Sequence, residues 1–187
     1  MRLSMAVAAC LLACAAAPVA APAQEIDLAV QTDGCGALVV TAGLSGVDSA
    51  RLLASLAQGL EIAVTFELRF YGRAAGMRGL LGDRLLAQAD LSRRASMDLI
   101  DGRYILLDES ARTRTYTAAE DFVRDFVSLK AFRPSWPADA SGYLLARARL
   151  EYVRLDPPLH IIGLLRPTAA LTDWRRVDIA GAEGRRQ

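Results

Sequence analysis

Thiol, imidazole and amine chemistry have little to draw on in this 187-residue chain, which holds three cysteines, one histidine and a single lysine, Lys130. Cys10 and Cys14 fall in the N-terminal apolar run, so Cys35 stands alone in the remainder and no internal disulfide is expected there; stability must come from an apolar core. Cys35 lies in Asp33-Gly34-Cys35-Gly36, a turn sequence with no neighbouring cation to favour a thiolate, and reads as a passive turn residue. His160, within Leu159-His160-Ile161-Ile162, reads as a core residue. One histidine and one cysteine do not make a zinc site, and no spaced acidic loop suits calcium, so neither a metal nor a cofactor is expected. Gly43-Leu44-Ser45-Gly46 is one residue short of a nucleophile elbow, and no glycine-rich loop is followed by Lys-Ser or Lys-Thr. Asp98 and Asp101 do not form an acid pair, because Asp101 belongs to a turn. An enzyme using Asp and Arg chemistry is therefore the last of three functional expectations.

Long apolar runs are also scarce. The one candidate follows Met1-Arg2-Leu3-Ser4-Met5 and ends at Ala21-Pro22-Ala23; it is too short to span a bilayer comfortably, which takes about 20 apolar residues. Its single positive charge, short apolar core and Ala-x-Ala end read as a secretory signal over residues 1–23, with the mature protein starting at Gln24 in the periplasm or outside the cell. The alternative is a lipoprotein anchored through Cys14, with Ala15 to Ala23 as a tether. Taking 23 residues from 187 leaves 164, enough for one domain over 24–180, with 181–187 as a frayed tail. Arg2 is the only charge lost, so 21 basic residues then face 21 acidic ones, and no overall field draws the chain to nucleic acid.

What the chain has in quantity is alternation. Leu60, Ile62, Val64, Phe66, Leu68 and Phe70 share one parity; Glu61, Ala63, Thr65, Glu67, Arg69 and Tyr71 share the other. Opposite faces of a strand receive successive side chains, so this is a strand of about 40 Å with one buried and one wet face, which requires an antiparallel sheet. Tyr143 to Leu155 repeats the pattern, with Leu144, Ala146, Ala148, Leu150 and Tyr152 against Arg147, Arg149, Glu151 and Val153. Ala37 to Leu44 reads as a first strand. Asp48 or Ser49 caps a helix bearing Leu52, Leu53 and Leu56, which Gly59 ends. Between Arg84 and Asp108 the pattern gives a strand, a bulge or bend at Arg93-Arg94, and a hairpin with a two-residue turn at Asp101-Gly102. Thr117-Ala118-Ala119-Glu120 is a capping box, and the spacing of Phe122, Val123, Phe126, Val127 and Leu129 predicts a helix from there to Phe132. Leu159 to Leu165 reads as a last apolar strand, and the region around Trp174 closes the domain.

Two places invite a partner. Arg69, Arg147 and Arg149 fall on the wet parity of the two long strands, and with Arg73 and Arg154 they form an arginine stripe if those strands are neighbours. That stripe suits an acidic partner or a lipid headgroup, or else pairs across strands with Glu61, Glu67 and Glu151. The glycine-rich segment from Gly72 to Asp83 presents Met77, Leu80 and Leu81 on a basic loop, a contact for a membrane or partner unless the leucines fold back. Phe122 and Phe126 would line a pocket for an apolar ligand if space lies between helix and sheet.

The order of these features resembles a family of exported bacterial proteins, domain of unknown function 4390 (DUF4390). The residues concerned are the Leu-rich helix with Leu56-Ala-Gln-Gly-Leu-Glu-Ile62, the run Gly142-Tyr-Leu-Leu-Ala-Arg-Ala-Arg-Leu150, Leu155-Asp-Pro-Pro-Leu159 and Trp174. The resemblance implies an envelope location and, since members are often encoded beside a two-component sensor kinase, an accessory role in signalling. It carries over no catalytic residue. The expectation is thus an α+β domain, a mainly antiparallel, curved or sandwich-like sheet with two packed helices. Its expected role is non-catalytic binding of a membrane protein such as a sensor kinase, the alternative being a carrier or sensor of an apolar ligand or lipid.

Overall fold

A computed structural model describes residues 24–33, 37–73, 82–135, 142–152 and 169–179. In chain order these form β1 (Glu25–Thr32), β2 (Leu38–Ser45), α1 (Ser49–Ala57), β3 (Ile62–Gly72), β4 (Arg84–Asp98), β5 (Arg103–Leu107), β6 (Thr113–Tyr116), α2 (Ala119–Phe126), β7 (Ser128–Phe132), β8 (Gly142–Glu151), β9 (Ala169–Leu171) and β10 (Arg175–Ile179). The fold is α+β, a sandwich of two antiparallel sheets that do not close into a barrel. The small sheet has the order β1-β2-β7; the large one runs β10-β8-β3-β4-β5-β6, with β9 paired to the other half of β8.

The large sheet is built around β3, which pairs with β4 on one side and β8 on the other. Ile62, Val64, Phe66, Leu68 and Phe70 are wholly buried on its inner face. Each such side chain contributes about 1.5–3 kcal/mol by leaving water. Alanines on the neighbouring strands make room for the large rings: Phe66 lies beside Ala148, Leu68 beside Ala89 and Ala146, and Phe70 beside Ala87. Leu38, Val40, Ala42 and Leu44 of β2, Leu52 and Leu56 of α1, and Phe122 and Phe126 of α2 complete one continuous core. Where Gly142 meets β3 there is no room for a side chain: a Cβ there would stand 2.0 Å from the Tyr71 carbonyl oxygen.

Helix α1 forms as its sequence dictates. Asp48 accepts a hydrogen bond from the Arg51 N–H at 2.9 Å, and the chain leaves through Gly59 at φ +77°. The second helix is shorter than its periodicity predicts. It ends at Phe126, its N-cap is Ala118, and no side chain caps it, so the Thr117–Glu120 box is not used. The apolar spacing beyond Phe126 belongs to β7, where Leu129 enters the core and an extra residue with Ala131 at φ 52° shifts the register against β2. Edge pairing with β2, together with a buried arginine that bonds the carbonyl of Asp125 near the helix end and that of Ser128 at the start of β7, overrides the helical pattern.

That arginine is Arg93. The predicted bend at Arg93-Arg94 is absent: β4 runs unbroken, with Val64 opposite Arg93 and Ala63 opposite Arg94. Arg93 keeps the inward parity of Leu91 and Ala95 and is 1% exposed. It donates to Glu109 Oε2 at 2.6 Å and to the main-chain oxygens of Asp125 and Ser128. The β4–β5 connection also differs from expectation. Asp98 pairs with Arg103, leaving four residues in the loop, and the Asp98 carboxylate accepts from the N–H groups of Ile100 and Asp101. Among the described residues no helix is long and apolar enough to cross a membrane. The segments read as signal, as last apolar strand and as tail lie outside the described residues.

Candidate functional site

Both helices and the small sheet pack on the inner face of the large sheet, which leaves the other face for side chains of the opposite parity. Strands β3 and β8 are neighbours, so the two arginine-bearing parities meet on that face: Glu67 stands directly opposite Arg147, Thr65 opposite Arg149, and Arg69 opposite Leu145. Arg147 directs Nε and Nη2 to Glu67 Oε2 at 2.9 and 2.7 Å. Arg149 pairs with Glu151 at 2.7 Å along the same strand.

Trp174 reaches this face from the corner between β9 and β10. The corner is pinned by Thr172, whose N–H donates to the Ala148 carbonyl at 3.0 Å while its Oγ1 accepts from the Ala148 N–H at 2.9 Å. So held, the indole lies 4.5 Å from the Arg147 guanidinium and 4.8 Å from that of Arg69, measured to the ring centroid, and stays 36% exposed. Each stacked guanidinium contributes about 0.5–1 kcal/mol at an exposed site. Arg69 has no carboxylate partner among the described residues, in contrast to Arg147.

A second aromatic group continues the face. Tyr71 of β3 and Tyr143 of β8 stack at 5.2 Å with 12° between the rings, and the Arg176 guanidinium sits 3.8 Å over Tyr143. Burial, followed by the hydrogen bond and charge of Asp83, raises the Tyr143 hydroxyl above its ordinary value. Asp178 takes Arg73 at 2.7 Å and Arg176 at 3.2 Å, and these two hydrogen bonds hold its carboxyl below the usual aspartate range. Leu85 lies opposite Tyr71 and is exposed. The β3–β8–β10 strip is therefore rich in tryptophan, tyrosine and arginine, the residues that dominate binding hot spots.

Of the residues singled out in the sequence, Arg69 and Arg147 meet at Trp174, Arg149 lies one step further along β8, and Arg73 pairs with β10. Met77, Leu80, Leu81, Cys35, Arg154 and His160 lie outside the described residues. Phe122 and Phe126 are wholly buried and stack at 5.7 Å, with Tyr104 stacked on Phe122 at 4.9 Å and Tyr116 edge-on at 6.0 Å. These rings, in contact with one another, lie between α2 and the sheet.

Beside those rings lies a polar cluster that sequence reasoning missed. Asp125, near the end of α2, accepts from Lys130 at 2.8 Å, from Arg114 at 3.1 Å and from the Tyr116 hydroxyl. Burial alone would raise the Asp125 carboxyl, but the Lys130 and Tyr116 hydrogen bonds and the Lys130 and Arg93 charges outweigh it and hold it at about 2. Asp108 accepts from the N–H groups of Ser110 and Arg112 and from Arg114; against burial, these bonds and the Arg114 charge lower it. With every one of these carboxylates engaged by fixed donors, the cluster ties β6, α2 and β7 together. Nothing in local pattern announces it, because its members come from five different segments.

Compared with family models, with curated proteins and with solved structures, the chain matches none. The family resemblance thus rests on the quoted residues alone. Tyr71 and Tyr143 were open to sequence reading, since both sit on the wet parity of the long strands. Trp174 and Arg176 were not, because their place depends on an edge strand whose pairing only the fold supplies.

Proposed function

We propose that this protein is a non-catalytic binding module of the bacterial envelope that contacts a membrane-protein partner through the open face of its large sheet. The observation that carries this reading is the pair of arginines on the half-exposed indole of Trp174, beside the Tyr71–Tyr143–Arg176 stack. An aromatic anchor held rigid by its corner loses little entropy on binding, and stacked guanidinium groups are already oriented. The apolar-carrier alternative draws less support, since Phe122 and Phe126 are occupied by each other and by Tyr104. The resemblance to an exported family whose members neighbour sensor kinases points to the same compartment and the same kind of partner. The signal-like segment over residues 1–23 agrees with it.

The test is site-specific photocrosslinking in living cells. A photoreactive residue at Ser92 or Arg149, exposed on the open face, should give a defined higher-mass adduct containing a membrane protein. The same residue at Thr41, exposed on the small sheet, should not. Adducts from Thr41 and none from the open face would reverse the assignment.

A further inference from the structure

We infer that the partner presents a carboxylate side chain to Arg69, next to an apolar or aromatic residue that lies on Trp174 and the Tyr71–Tyr143 stack. This rests on the docking reading above and names the chemistry of the partner. On the outward side of β3, β8 and β10, with Arg73 just past the end of β3, five arginines (Arg69, Arg73, Arg147, Arg149 and Arg176) stand beside Glu67, Glu151 and Asp178, and beside Asp83, which bonds the Tyr143 hydroxyl. Arg147 and Arg149 each have a carboxylate of their own, and Arg73 and Arg176 share Asp178. Arg69 is left over. Its guanidinium is half-buried and stacked on the indole, so its planar donor edge is fixed and still free to take a two-point acceptor.

A guanidinium in this state could take a phosphate as readily as a carboxylate. The surroundings decide for protein. Attraction to anionic lipid takes a cluster of several unpaired cations at a surface, whereas here four of the five arginines already hold a carboxylate and Arg69 alone of them does not. With Glu67, Glu151 and Asp178 already compensating their arginines, little net charge is left on this face to hold a sheet of phosphates. A single Asp or Glu on a peptide fits the one vacancy, and its neighbours meet the aromatic rings.

The test is selection of a displayed random 12-residue peptide library on the purified protein, with the selected peptides then titrated against variants. Vesicles of phosphatidylcholine with one quarter phosphatidylglycerol serve as the lipid arm. Enriched peptides should carry Asp or Glu beside an aromatic or branched residue. Their affinity should fall about 10- to 100-fold with Arg69→Gln, the loss expected for a charged hydrogen-bonded pair, and by less with Arg69→Lys. Melting temperatures of these variants should match wild type. Peptides that need Trp174 and Tyr143 but show no acidic preference, or bind Arg69→Gln equally well, would overturn the carboxylate inference and leave the docking face standing. Peptides indifferent to Trp174→Ala, Tyr143→Ala and Arg69→Gln alike, or an empty selection, would remove both. Arg69-dependent binding to vesicles without peptide enrichment would assign the site to lipid and overturn the inference.

Discussion

Replacing Arg93 with methionine, and separately its neighbour Arg94, sets two chemically identical changes one residue apart against each other. Arg93 is 1% exposed and donates to Glu109 and to two main-chain carbonyls, whereas Arg94 faces solvent opposite Ala63. Methionine fills much of the arginine's volume, so the cost at position 93 is chiefly polar: a half-buried carboxylate and two carbonyls lose their donor. Removing one partner from a buried pair costs about 3–5 kcal/mol, while a solvent-facing substitution stays within about 0.5 kcal/mol. For a domain of this size about 2–4 °C of melting temperature accompanies each kcal/mol, which gives a drop of about 6–20 °C for Arg93→Met and about 2 °C or less for Arg94→Met. Thermal unfolding followed by circular dichroism, with urea titration as a second measure, reads the difference. Adding Glu109→Gln to Arg93→Met should restore part of the loss, because the stranded charge is gone. Equal melting temperatures for the two single variants would refute the reading that Arg93 is the polar anchor of the core.

Acid should weaken the fold in a defined window. Asp125 is held at about 2 when folded, against an ordinary 3.8, so its contribution is complete above about pH 4 and is lost as pH falls toward 2. The difference corresponds to about 2 kcal/mol; Asp125→Asn should be less stable at neutral pH and show a shallower loss of melting temperature across that window. Gly142→Ala should destabilise by about 1–3 kcal/mol in urea unfolding, since its Cβ would lie 2.0 Å from the Tyr71 carbonyl oxygen and would force β8 from β3. Gly43→Ala, with nothing within 4 Å, should cost far less. Arg147→Glu sets a second carboxylate against Glu67 and should lower stability by about 1–2 kcal/mol; exchanging the pair with Glu67→Arg should recover part of that, as a double-mutant cycle would show.

Period-two alternation carried the centre of the fold. The faces of β3 and β8 are legible residue by residue because each has one dry side, and a slip of one residue would expose all five inward side chains of β3. Strand β1 has the same signature, with Ile26, Leu28 and Val30 turned toward the core and Asp27, Ala29 and Gln31 turned away, so it was within reach of the same argument. The failures lie where two periods agree over a short stretch. Phe122, Phe126 and Leu129 fit one helical face, yet Leu129 lies on a strand, because pairing with β2 outweighs a weak local preference. Arg93 broke the apolar pattern of β4 without breaking the strand, since its acceptors come from Glu109, Asp125 and Ser128, far off in sequence. The open face was half legible: the arginines follow from parity, but the ring that gathers Arg69 and Arg147 arrives from an edge more than 20 residues further on, after β8.

Hydroxyl-radical footprinting of the protein, compared between the purified state and the proposed envelope location in cells, tests the proposed docking surface most directly. Binding through the open face should shield Trp174, Tyr71 and Tyr143 from oxidation, while the tip residues Leu99 and Ile100, the latter 96% exposed, keep their reactivity. Unchanged oxidation of Trp174 in the envelope, with protection appearing on the small sheet or at the β4–β5 tip, would contradict it.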